Sequence, residues 1–164
     1  MYSNIVGSSF SWSDLLLLIT LLMTGFYGGT GFFVLMGGNP AILKMSNATF
    51  AEYWQHTDYY MAARMRFFGP CMMLCVVVST IQYFLHHQVT SFWLMIGAIL
   101  FLVADLIIVF SFNHPLNQLI QSWHLNQLPD DVQMIKNQVV SAFWGRSVCM
   151  IGCFILNLLA FWQR

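Results

Sequence analysis

Residues 92–117 read FWLMIGAILFLVADLIIVFSFNHPLN, and this stretch decides the fold. Its first part, 92–112, is apolar and long enough to cross roughly 30 Å of hydrocarbon at 1.5 Å per residue. Asp105 interrupts the run. An ionisable group inside a membrane span is costly and marks a functional site by default. Asp105 precedes Phe112 by seven residues, which puts it roughly 10 Å below the edge of the bilayer. The Asn113-His114-Pro115-Leu116-Asn117 motif that follows marks the meeting of span and water.

The rest of the chain has the same character. Of its 164 residues 59% are hydrophobic and only 7% charged, with mean hydropathy +0.69; soluble domains carry about 25% charged residues. Four runs qualify as spans: 15–36, 67–85, 92–112 and 141–161. The fold expected is all-α, a four-transmembrane-helix bundle forming one domain over 1–164. Amphipathic helical segments are expected in the first and third links. The link at 86–91 is short, so the second and third helices are antiparallel neighbours. No internal repeat or linker is visible. The first run is too long for the apolar region of a signal peptide and is read as a retained span. The formal net charge of +0 gives no reason to expect nucleic acid as a partner.

Basic residues set the expected orientation. With the N-terminus outside, Lys44, Arg64, Arg66, Lys136 and Arg146 fall on the cytoplasmic side, and Arg164 outside. Both termini are then outside and both long links cytoplasmic, which suits a bacterial inner membrane.

Helical periodicity gathers the polar residues. Thr20, Thr24, Tyr27, Gly28 and Gly31 share a face of the first span, while Gly25 and Gly29 form a GxxxG on another side. Thr49 and Glu52 have capping-box spacing for a helix that continues into the second span. Pro70 predicts a kink near Gly69-Pro70, and Arg64, Cys71, Cys75 and Gln82 form a stripe there. In the fourth span Arg146, Cys149, Cys153 and Asn157 share a face. Arg146 lies roughly 8 Å inside the same edge as Asp105. A buried charge is far less costly when paired, so Asp105 is expected beside Arg146, with Arg64 or Arg66 as second choice. Asp130 or Asp131 is placed to cap the helix that enters the fourth span.

Several motifs together resemble a known family. Gly38-Asn39-Pro40-Ala41-Ile42-Leu43, Trp54-Gln55, Arg64-Met65-Arg66, Asn113-His114-Pro115-Leu116-Asn117, Trp123 and Arg146 are similar to the anthrone-oxygenase-like family of small four-span membrane proteins. The chain departs from that pattern at Val140 and Phe143, where the family often carries Trp or His, with Trp144 displaced. The resemblance implies oxidation of an anthrone by molecular oxygen without a cofactor, and maps Asn113, Pro115, Asn117, Trp123 and Arg146 onto recurring positions.

Two functions follow as expectations. The first is a membrane oxygenase or oxidoreductase acting on a lipophilic aromatic, anthrone- or quinol-like. Asp105 or His56 would be its base, and Arg146, Asn113 and Asn117 would hold the resulting oxyanion. Arg64, Arg66, Trp123, Tyr27, His114 and Trp144 would contact substrate. The second is a non-catalytic membrane protein that binds a lipid or small molecule, or an accessory subunit of a larger assembly or homo-oligomer. No cofactor is required by the first. Haem or a metal through His56, His114 or Cys71, Cys75, Cys149 and Cys153 is the weaker alternative.

Overall fold

The computed structural model describes residues 11–163. Arg164, the one cation assigned to the outer side, and residues 1–10 lie outside that range. Four helices account for nearly everything described: α1 (Trp12–Lys44), α2 (Asn47–Leu85), α3 (Val89–Gln121) and α4 (Val132–Trp162). Each is long and apolar enough to cross a membrane. Around the bundle each helix packs on its sequence neighbours, and α4 closes the ring by packing on α1 as well as α3. This is the up-down-up-down arrangement that short links impose.

Local sequence explains the ends. Ser11 caps α1, accepting from the Asp14 amide at 3.2 Å while the Asp14 carboxylate accepts from the Ser11 amide at 2.8 Å. Ser46 caps α2 through the Thr49 amide. The cap therefore sits three residues before the Thr49 expected from the sequence, because Thr49 occupies the position that a cap bonds. Between α2 and α3 the chain turns at His87, whose φ of 56° is left-handed. Asp131 precedes α4 but makes no capping hydrogen bond with its side chain.

The helices outrun the bilayer. α2 has 39 residues, about 58 Å of rise against roughly 30 Å of hydrocarbon. The amphipathic segments of the two long links are therefore continuations of the spans, and they pack on one another. This produces two cores. The span core includes Leu17, Met72, Val76, Met95, Ala98, Leu102, Met150 and Cys153. A second core, at the long-link end, gathers Ile42, Phe50, Trp54, Ile120, Val132, Ile135, Val139 and Val140. We call this end the cap. Lys136 is fully buried in it. Its Nζ donates to the Met45 carbonyl at 2.9 Å and lies 5.9 Å from the Phe50 ring centroid. A cation there complements the C-terminal end of α1.

Between the two cores, α1 and α3 each contain a π-helical segment, Val34–Gly38 and Val109–Asn113. Proline explains both. Pro40 and Pro115 cannot donate to the carbonyl four residues back, and their rings clash with it. The residue before each proline bonds five residues back instead, Asn39 to Val34 and His114 to Val109. One extra residue is thereby inserted into the turn. It preserves the inward face. Buried positions of α3 fall at 91, 95, 98, 102 and 105, then step by eight to 113. In α1 the same step runs from Gly31 to Asn39.

Small residues set the closeness of α1 to α4. A Cβ on Gly28 would lie 2.6 Å from Cβ of Phe154, and one on Gly31 2.8 Å from Cβ of Met150. Gly29 has nothing within 4 Å. The packing glycines are thus on the threonine–tyrosine face, and the GxxxG pair contributes only through Gly25, 3.4 Å from Phe154.

Candidate functional site

Asp105 is almost fully buried on the inner face of α3 and meets Arg146 of α4. Arg146 Nε donates to Oδ1 at 2.8 Å and Nη2 to Oδ2 at 3.3 Å. The pairing expected from matched depths is the one observed. A third helix joins in, since the Tyr27 hydroxyl of α1 donates to Oδ2. The carboxylate is thus held across the bundle by a two-point guanidinium contact and a phenol. Each neighbour lowers the cost of keeping the charge out of water. Arg64 does not take part. It is exposed, donates to the Tyr60 carbonyl at 3.0 Å and lies over the Tyr60 ring. Arg66 is exposed as well.

From Arg146 a stack leads into the cap. The guanidinium carbon lies 5.0 Å from the Phe143 ring centroid. Phe143 meets Trp54 edge-on at 5.3 Å. Trp54 Nε1 donates to Asn117 Oδ1 at 3.0 Å, and Asn117 Nδ2 donates to Asp58. Gln121 reaches the other Asp58 oxygen at 3.2 Å and the Gln55 carbonyl at 2.9 Å. Gln55 in turn donates to the carbonyls of Ile120 and Trp123. These bonds fasten the start of α2 to the end of α3. Asn117 and Trp123 are therefore members of a clamp at the cap, one layer away from Arg146. Sequence reading missed Asp58 as the acceptor in this clamp; its signal was the spacing of Trp54, Gln55 and Asp58 on one helical face.

Two asparagines follow the π segments into the interior. Asn39 is 1% exposed and Asn113 2%. Asn39 Nδ2 donates to the Val140 carbonyl at 3.3 Å, but its Oδ1 has no partner among the described residues. Neither side-chain polar atom of Asn113 has one. A buried amide without partners costs roughly 1–3 kcal/mol, so Asn113 stands out.

The other expected residues lie elsewhere. His56, His114 and Trp144 are exposed. Cys149 and Cys153 are buried on α4, whereas Cys71 is exposed and Cys75 half-buried. The two pairs do not form one thiolate cluster. Among the described residues no three His, Cys, Asp or Glu side chains group as a metal site would require.

Beside this layer, a groove of about 590 Å³ runs between α3 and α4. Ile108, Phe112 and Pro115 form one wall; Ser141, Ala142 and Gly145 form the other. Its deep end, at Ile108 and Gly145, is level with the ion pair. Its lining is mostly apolar and includes neither Asp105 nor Arg146, which face the interior. Its lining residues Ser111, Phe112, Pro115 and Ser141 are exposed, so it is open to the outside of the bundle beside the π segment of α3. No protein-family model, curated protein or solved structure matches the chain.

Proposed function

We propose that the protein takes a lipophilic aromatic molecule from the bilayer into the groove between α3 and α4. The observation that carries this is the groove itself. Its volume falls within the roughly 300–1,000 Å³ of small-molecule sites, and an apolar wall with few polar groups suits a ligand arriving through lipid. The test is a titration of the purified protein in lipid nanodiscs with 1-naphthol, followed by tryptophan fluorescence. Saturable binding that weakens about tenfold in Ala142→Phe, which fills the groove, supports the reading. Binding that is absent, or unchanged by the filling, overturns it.

A second reading adds chemistry, and Tyr27–Asp105–Arg146 favours it. In an oxygenase acting on an anthrone or quinol, a base removes a substrate proton and a cation holds the oxyanion. Arg146 supplies fixed positive charge beside the groove's deep end, and Tyr27 with Asp105 can relay a proton. As the primary base Asp105 is poorly placed, because Arg146 and Tyr27 already engage both its oxygens. The family resemblance supports this reading from sequence motifs alone. It is tested by oxygen consumption with anthrone. Loss of turnover in Tyr27→Phe and Arg146→Ala supports it, and full turnover in both removes the site from the chemistry.

We further place the cap on the cytoplasmic side of a bacterial inner membrane. Lys44, Arg64 and Arg66 support that orientation. Lys136 and Arg146 carry less weight, because each has a structural partner.

A further inference from the structure

We propose that the Asn113 side chain is the docking point for the hydroxyl of a neutral ligand whose apolar body occupies the α3–α4 groove. This rests on the groove reading above and names the chemistry of the ligand's polar end. Asn113 is a buried amide with neither polar atom partnered among the described residues. It offers one donor group and one acceptor, both buried and unused. A hydroxyl both donates and accepts, so it complements this set. A carboxylate would meet only one amide donor group there, and would bring a second anion onto the face of α3 that carries Asp105.

Position links the amide to the groove. Phe112 and Leu116, the residue before Asn113 and the one a turn beyond it, both line the groove. The groove therefore lies beside the turn of α3 that carries the amide. Phe112 is exposed, so its ring can turn outward without leaving a packed core. The π segment ends at Asn113, and such insertions recur at functional sites because they aim a side chain that a regular turn would point elsewhere. Here the step of eight carries Asn113 onto the same face as Asp105. The same device repeats at Asn39, on the diagonally placed helix. The cost of the unpartnered Asn113 amide is accounted for if a ligand hydroxyl completes it.

The experiment compares 1-naphthol with 1-methylnaphthalene, which has a similar shape and no hydroxyl, in nanodiscs. Wild type should bind 1-naphthol about tenfold more tightly, the difference that one to two hydrogen bonds confer. Asn113→Leu keeps the side-chain size and removes both polar atoms. It should bind the two ligands equally while still binding 1-methylnaphthalene as wild type does. Equal affinities in wild type, or a naphthol preference that survives Asn113→Leu, overturn the docking point, with buried water as the partner of the amide, and leave the groove reading intact. Failure of both ligands to bind wild type overturns the groove reading and this inference with it.

Discussion

At the scale of single residues, the least replaceable contact is the one Arg146 makes with Asp105. Removing the guanidinium leaves a carboxylate inside the span with only a phenol beside it. Arg146→Ala should lower stability by about 3 kcal/mol, the usual cost of orphaning a buried charge. Tyr27→Phe removes one hydrogen bond and leaves the charge neutralised, so it should cost about 1–2 kcal/mol. Thermal unfolding in detergent ranks the two, and a larger loss from Tyr27→Phe would contradict the assignment. Asn113→Leu should act in the opposite sense. Replacing an unpartnered buried amide by a side chain of similar size should leave stability unchanged or raise it by about 1 kcal/mol in the absence of ligand. A marked loss would mean that the amide has a structural partner.

At the scale of elements, the glycines of α1 separate packing from mere composition. Gly31→Ala drives a methyl against Cβ of Met150 and the backbone of Ser147, and overpacking of this kind costs about 1–3 kcal/mol. Gly29→Ala meets nothing and should be neutral or slightly stabilising, since alanine is the better helix former. At His87 the left-handed φ makes glycine the better residue, and His87→Gly should add about 1 kcal/mol. Unfolding midpoints for the three variants test these signs.

The same elements show what the sequence revealed. The inward face of α1 was legible because Thr20, Thr24, Tyr27, Gly28 and Gly31 follow one helical period, and the Asp105–Arg146 pair because two charges at matched depth had few other partners. The π segments were not read. Their signal is a phase step of eight, at Gly31 to Asn39 and Asp105 to Asn113, which looks like a helix ending if proline is taken only as a breaker. The clamp of Trp54, Asn117 and Asp58 was hidden for a related reason. Treating the links as separate interfacial segments concealed that α2 and α3 continue side by side beyond the span.

At the scale of the molecule, two stacked cores divide the work. The span core and its ion pair sit where lipid surrounds the bundle, and the cap core with buried Lys136 sits beyond it. Maleimide labelling of single cysteines in a background free of native cysteine should find Ser122→Cys, at the cap, reactive from one side of the membrane only. Thr90→Cys, in the short link, should react only from the other. Labelling of both from one side would contradict the four-span path. The groove lies at the junction of the cores, and the Asp105–Arg146 contact fixes α3 against α4 on its inner side. That contact is a true pair, formed within the span and organising the helices around it. A double-mutant cycle with Asp105→Asn and Arg146→Gln, read by unfolding in detergent, tests it most directly. A coupling of about 1–3 kcal/mol is expected, with the double variant more stable than the two single losses would sum to; strictly additive losses would show that the two side chains do not act as a pair.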